Sequence, residues 1–100
     1  MALDGYLSDV NNQRQYYFPI EDAFHEAIFQ NHKIWNSYIQ LRKLKDYYGT
    51  AKYNEIEVKA LADDFEQYMC NINSIYHARI NELIIKLRDR RIVKALFAGD

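Results

Sequence analysis

The chain has 100 residues and a formal net charge of −1 at pH 7, with 49% hydrophobic and 27% charged residues. This composition is typical of one globular domain, and it excludes a disordered or collagen-like chain. A charge near zero gives no overall field that would attract nucleic acid or a membrane, so any such affinity must come from a local patch. Three glycines and one proline are few for a turn-rich β protein, so we expect an all-α fold.

The cysteine content and the apolar segments bear on where the protein acts. Cys70 is the only cysteine, so the chain has no internal disulfide and no Cys spacing of the kind that binds zinc. The first ten residues lack the basic and apolar regions of a signal peptide, and no apolar run approaches the roughly 18 residues of a membrane span. We therefore expect a cytoplasmic protein without membrane contact. The abundance of Ile, Asn, Lys and Tyr suggests an AT-rich gene of viral or mobile-element origin, in which case the protein acts in the host cell.

The chain is predicted to begin with a polar and aromatic lead-in over residues 1–18. A glycine and two adjacent asparagines interrupt any periodicity there, and the triplet YYF closes the segment. Residues 19–100 are then predicted to form a single α-helical domain.

The first predicted helix covers about residues 20–48. Pro19 suits a first helical turn, and Glu21 and Asp22 place negative charge where the helix dipole favours it. The helix is predicted to end before Gly49, a residue type that commonly follows a helix C-terminus. Its apolar residues recur at the three-, four- and seven-residue spacings of a helix; they are Phe24, Ile28, Trp35, Tyr38, Leu41 and Leu44.

The second predicted helix covers about residues 54–97, after a loop at 49–53. Asn54 and Glu57 have the spacing of a capping box at its start. We favour one continuous helix, although the segment 71–75 could break it. Most of the apolar positions follow a spacing close to a heptad; they are Val58, Leu61, Phe65, Tyr68, Ile72, Ile75, Ile80, Leu83 and Leu87.

Two long helices joined by a short loop predict an antiparallel helical hairpin with coiled-coil character. Such a hairpin has one seam and buries little apolar surface. We therefore expect self-association, most simply as a homodimer that completes a helical bundle. Folding-back of the lead-in onto the hairpin is the alternative.

A basic cluster near the C-terminus is the main candidate binding site. In the hairpin register it lies opposite residues 11–14, which contain no acidic residue, so internal pairing would leave its charge available. Arginine also suits bidentate contact with phosphate or carboxylate. The alternative is a solvated helix end, since basic residues are favourable there for their own sake. The predicted partner-binding residues are Lys86, Arg88, Arg90, Arg91 and Lys94, with Tyr16, Tyr17 and Phe18 beside them.

Motifs for catalysis and metal binding are sparse. Glu21 and His25 are four residues apart, and the hairpin register would bring His77 opposite them, which makes three conceivable ligands for zinc or iron. No fourth ligand is evident, and a structural role for these side chains is the simpler reading. The chain has no nucleophile elbow, glycine-rich phosphate loop or HExxH motif. We expect a protein that is not an enzyme and has no metal or cofactor.

These features favour a small interaction or assembly protein, of the adaptor or inhibitor type, that acts through helix–helix contacts with a protein partner or with itself. The alternative is a nucleic-acid-associated factor that uses the C-terminal basic helix. A regulator or a subunit of a replication or viral assembly would belong to that class. Salt-dependent binding would distinguish the second class.

Overall fold

A computed structural model describes residues 2–29 and 33–99, and it combines a four-stranded antiparallel sheet with helices. The predicted all-α fold is therefore wrong, and so are the helical hairpin and the coiled coil. The strands are β1 (Ala2–Ser8), β2 (Arg14–Glu21), β3 (Thr50–Tyr53) and β4 (Lys94–Ala98). The α-helices are α1 (Asp22–Phe29), α2 (Glu55–Tyr68) and α3 (His77–Leu87). Short 3-10 turns lie at Ile34–Ser37, Leu41–Leu44, Met69–Asn71 and Ser74–Tyr76.

The segment that was predicted to be a lead-in contains β1 and most of β2. In β1, Leu3, Gly5 and Leu7 are buried while the residues between them are half-buried. In β2, Phe18 and Ile20 are buried in the same alternation. A period of two residues puts one set of side chains in the core and the other on the outer face.

The strands are arranged in the order β2-β1-β4-β3, and all neighbours are antiparallel. The turn between β1 and β2 is held by Asp9, whose carboxylate accepts from the backbone N–H groups of Asn11 and Gln13. Asn12 adopts a left-handed backbone conformation, φ 62°, which asparagine tolerates better than most residues. The first and the last strand of the chain thus form the centre of the sheet.

The helix that was predicted over residues 20–48 is much shorter. It begins at Asp22 and is helical to Phe29, and residues 30–32 lie outside the described residues. The rest of the predicted helix contains the first two 3-10 turns. Pro19 lies in the edge strand β2 rather than in a helical turn, which is a position where a strand tolerates proline.

A tertiary contact explains the second of these turns. The Asp64 carboxylate accepts from the backbone N–H groups of Gln40 and Leu41, at 2.9 and 3.1 Å. These N–H groups would otherwise lack partners at the start of the turn. Asn36 and Ser37 in the preceding turn have weak helix propensity, so the apolar spacing alone did not determine the local structure.

The predicted continuous helix over 54–97 is also wrong, but its start is confirmed. The Asn54 side chain accepts from the Glu57 N–H at 2.9 Å, and the Glu57 carboxylate accepts from the Asn54 N–H at 2.9 Å, which completes a capping box. The chain leaves α2 after Tyr68 and resumes as α3 at His77. This interruption contains the segment 71–75, where a break was considered.

The helices cover one face of the sheet and share one core with it. Apolar side chains from every strand and every α-helix belong to the same buried cluster. Tyr68 is fully buried, and its hydroxyl donates to the Ile28 carbonyl at 2.5 Å, which ties α2 to α1. Across residues 2–29 and 33–99, every helix is too short or too polar to cross a bilayer.

Candidate functional site

The predicted basic cluster is dispersed by the fold, and much of its charge has an acidic neighbour. Arg88 lies at the end of α3 and reaches α2, where it contacts Asp63 at 2.8 Å and Glu66 at 2.7 Å. Lys86 pairs with Glu82 on its own helix at 2.9 Å. The acidic run on α2 is thus the internal partner of the arginine that the hairpin register had left unpaired.

Arg91 belongs to a second polar group, at the loop between α3 and β4. Its guanidinium contacts the Asp89 carboxylate at 2.9 Å, and Asp89 also accepts from the Tyr16 hydroxyl at 2.7 Å. These hydrogen bonds hold the pKa of the Asp89 carboxyl well below its usual range, with the bond from Arg91 as the largest cause. The Lys86 ammonium lies 5.5 Å from the Tyr16 ring. Tyr16 and the basic segment are therefore in contact, although in a fold other than the predicted hairpin.

The remaining predicted residues are divided between the two faces of the sheet. Phe18 is buried in the core, whereas Tyr17 is 57% exposed on the outer face. Lys94 also lies on the outer face, and its ammonium donates to the Asn12 side chain at 2.5 Å. Arg90 is exposed, and no ion pair to it is found within residues 2–29 and 33–99. The predicted partner-binding residues do not form one surface, and their role in binding stays a prediction.

The outer face of the sheet brings together residues from all four strands. One row runs across it as Tyr17, Tyr6, Leu96 and Lys52, because these residues are successive cross-strand neighbours. The next row contains Arg14, Ser8 and Lys94. We call this surface the open face, defined by these seven residues. Its residues lie on the side of the sheet opposite the helices.

Two tyrosines form the aromatic centre of the open face. The rings of Tyr6 and Tyr17 are 5.5 Å apart at an angle of 36°. The Arg14 guanidinium lies over the Tyr6 ring, 4.1 Å from its centroid. The Tyr17 hydroxyl donates to the Asp4 carboxylate at 2.6 Å, and this hydrogen bond is the main reason that the pKa of Tyr17 is raised to about 12. The two adjacent rings therefore form an aromatic surface beside a cation.

A groove of about 320 Å³ runs along the same surface between the aromatic centre and the cations. Arg14, Lys52 and Lys94 line it, together with Tyr6 and Leu96. The three cationic side chains are all exposed. The arrangement can bind an anionic ligand that also presents a flat or apolar group to the tyrosines.

The three residues considered as metal ligands each have another partner. Glu21 is paired with Arg79 at 2.6 Å. The ring Nε2 of His25 lies 2.7 Å from the Leu44 carbonyl, and that of His77 lies 2.8 Å from the Ile72 carbonyl. Within the described part of the chain, no three His, Cys, Asp or Glu side chains are grouped as a metal site would require.

A second cleft of about 390 Å³ lies beside His25, between α1 and the segment that leads into β3. Burial lowers the pKa of His25. The imidazole packs against Phe29 and Tyr47, with ring centroids 4.8 and 4.9 Å away. Its hydrogen bond to a backbone carbonyl and its aromatic neighbours give His25 a structural role, as the contact that joins α1 to the turn at Leu41–Leu44.

Sequence reasoning missed five residues of the open face, namely Tyr6, Ser8, Arg14, Lys52 and Leu96. The available signal was alternation over short segments, such as Leu3 and Leu7 on either side of Tyr6. Gly5 concealed that signal because a glycine is not counted as an apolar core residue. The cross-strand register that assembles the rows depends on contacts between distant parts of the chain, which the sequence does not display.

Comparisons with protein-family models, with curated proteins and with solved structures find no match for this chain. The assignment of a function therefore depends on the geometry of the open face and on the chemistry of its side chains.

Proposed function

We propose that this protein acts by binding, and that it binds nucleic acid on the open face of its sheet. The observation that carries the proposal is the pair of rows on that face. Arg14 and Lys94 flank Ser8 in one row, and Tyr6 and Tyr17 adjoin each other in the next. Sheets that bind RNA or single-stranded nucleic acid generally combine two features. Cationic side chains follow the phosphate backbone, and aromatic rings beside them stack on the bases.

The distribution of charge supports a polyanion rather than a small acidic ligand. Arg14 and Lys94 lie on strands that flank β1, so they are two strand spacings or about 10 Å apart. Lys52 adds a third cation one strand beyond β4. Asp4, on the far side of the tyrosines, has its carboxylate engaged by the Tyr17 hydroxyl. An extended chain of phosphates would meet the three cations in turn while it avoids Asp4.

An interaction or assembly role through helix–helix contacts has less support. The hairpin that motivated it is absent, and the most exposed apolar residues of the helices, Ile56 and Ile85, lie on different helices. Single exposed apolar residues are common on protein surfaces. Self-association and binding of a protein partner stay predictions, and the experiment below also bears on them.

The test is fluorescence anisotropy with labelled single-stranded RNA, single-stranded DNA and duplex DNA, from low to physiological salt. Wild type is compared with a triple variant of the open face, Arg14→Gln, Lys52→Gln and Lys94→Gln. The matched control removes the same charge from the C-terminal segment, with Arg88→Gln, Arg90→Gln and Arg91→Gln. We expect log K to fall with log salt at a slope of about −2 for three contacts with a single strand. The slope should be near zero in the open-face variant and unchanged in the control.

Two other results would overturn the proposal. Loss of binding in the control variant, with the open-face variant unaffected, would assign the anion site to the C-terminal cluster. An absence of binding to every nucleic acid at low salt would exclude this ligand class. The open face would then be tested against acidic peptides, and sedimentation would test self-association.

A further inference from the structure

We infer that the ligand of the open face is a single strand, with its phosphates along the row of Arg14, Ser8 and Lys94 and a base stacked on Tyr6. This inference rests on the proposed function and adds the form of the nucleic acid and its orientation. It follows from the spacing of the rows, from the contact that Arg14 makes and from the shape that each form of nucleic acid presents.

The spacing of the two rows separates a phosphate path from a base path. Residues of the same face are two positions apart along a strand, so the cationic row lies about 7 Å from the tyrosine row. Tyr6 adjoins Ser8 in this way on β1, and Leu96 adjoins Lys94 on β4. A strand whose backbone follows the cations can therefore extend its bases sideways onto Tyr6, Tyr17 and Leu96.

The direction of the bases is set by Asp4. It occupies β1 two residues beyond Tyr6, on the side away from Ser8 and Lys94. A carboxylate there repels phosphates but not bases. The backbone must therefore follow the cationic row, and the bases must point toward Asp4.

Arg14 occupies the position that a stacked base would take. Its guanidinium is planar and lies 4.1 Å from the centroid of the Tyr6 ring, which is the geometry of a cation–π contact. Arg14 is exposed and belongs to the cationic row. Displacement of the guanidinium by a base would free it to contact the phosphate of the same nucleotide, so one side chain changes partner when the ligand binds.

A duplex cannot use the tyrosine row in this way. Its bases are already stacked on each other and present only their edges in the grooves. A single strand exposes base faces that can stack on aromatic side chains, and each such contact contributes substantially to affinity. The open face should therefore bind a single strand more tightly than a duplex of the same sequence.

The experiment uses four labelled probes of equal length: single-stranded RNA, single-stranded DNA, duplex DNA and an abasic strand that keeps the phosphates but lacks bases. The protein variants are Tyr6→Leu and Tyr17→Leu, with Tyr6→Phe to keep the ring. Tyr48→Leu is the matched control, because Tyr48 is 66% exposed but lies outside the open face. Thermal melting confirms that each variant is folded.

We expect the single strands to bind at least about fivefold more tightly than the abasic strand, since one stacked base supplies about that factor. Tyr6→Leu should remove the difference, whereas Tyr6→Phe and Tyr48→Leu should retain it. Comparison of the affinities for single-stranded RNA and single-stranded DNA shows which sugar the open face prefers.

Equal binding of all four probes, still lost in the triple cation variant, would refute the stacked single strand while leaving the proposed function intact. No binding of any probe would refute both. A preference for the single strands that survives Tyr6→Leu would mean that the base stacks elsewhere, and this would also overturn the inference.

Discussion

At the scale of single residues, basic side chains in this protein mostly serve internal contacts. Lys59 on α2 is the clearest case, because its ammonium donates to the carbonyls of Leu87, Asp89 and Ile92 at 2.8, 2.9 and 3.1 Å. It thereby satisfies carbonyl groups at the end of α3 and in the loop that follows it. Partial burial lowers the pKa of Lys59, so the three carbonyls replace water that the ammonium has lost. A count of charges along the sequence cannot distinguish such a lysine from one that binds a partner.

His25 leads to a prediction about pH. Burial lowers its pKa from the ordinary value of 6.5, so the folded protein favours the neutral imidazole. The contribution of His25 to the free energy of unfolding is therefore complete above pH 6.5. It is lost as the pH falls from 6.5 through the lower folded pKa, by up to about 1.4 kcal/mol per pH unit for one group.

The measurement compares urea unfolding of wild type and His25→Gln between pH 7.5 and pH 5.0. Glutamine can still donate to the Leu44 carbonyl, but it does not titrate. We expect wild type to lose stability toward pH 5.0 more steeply than the variant. The other histidines are present in both proteins, so their effects cancel in the difference. Parallel stability curves would show that burial of His25 has no energetic consequence for protonation.

At the scale of elements, the start of α2 shows what local sequence can predict. Both hydrogen bonds of its capping box join Asn54 to Glu57, so the pattern is contained in four adjacent residues. The hydrogen bond from the Asn54 N–H is the main reason that the pKa of the Glu57 carboxyl is lowered. A sequence pattern that depends only on adjacent residues can therefore be predicted correctly even when the predicted fold is wrong.

We predict that Asn54→Ala destabilises the protein by about 1 kcal/mol, because the Glu57 N–H loses its acceptor. The backbone N–H of residue 54 can still donate to Glu57, so only half of the capping box is removed. Urea unfolding provides the measurement. Gln67→Ala, at an exposed position of the same helix, is the control and should change stability by less than about 0.5 kcal/mol. Equal effects of the two substitutions would mean that the cap contributes nothing specific.

The strands show what local sequence did not predict. Leu3 and Leu7 alternate correctly for β1, but Gly5 between them has no side chain to complete the pattern. The structure explains the glycine, since a Cβ at that position would lie 2.4 Å from the Phe97 ring and 2.7 Å from the Phe18 carbonyl. The ring that covers Gly5 comes from the other end of the chain. Its position follows from tertiary packing, which overrode the apparent helical spacing around it.

At the scale of the whole molecule, both ends of the described chain are central in the sheet. β4 pairs with β1 on one side and with β3 on the other. The sequence predicted the end of a long helix over the same residues. Removal of the C-terminal residues would affect the two arrangements differently. A helix end unfolds one turn at a time, whereas loss of a central strand removes a hydrogen-bonded partner from both neighbouring strands.

We therefore predict that a variant ending at Arg91 loses cooperative unfolding. It lacks Ile92 and Phe97, both fully buried. It also leaves β3 without a strand partner and gives β1 an exposed edge on the side where β4 had paired. The control removes only residues 99 and 100 and should unfold cooperatively. Circular dichroism during thermal melting and the fluorescence of a dye that binds exposed apolar surface provide the measurements. A shortened protein that melts cooperatively near the wild-type temperature would contradict the central position of β4, and with it the rows that form the open face.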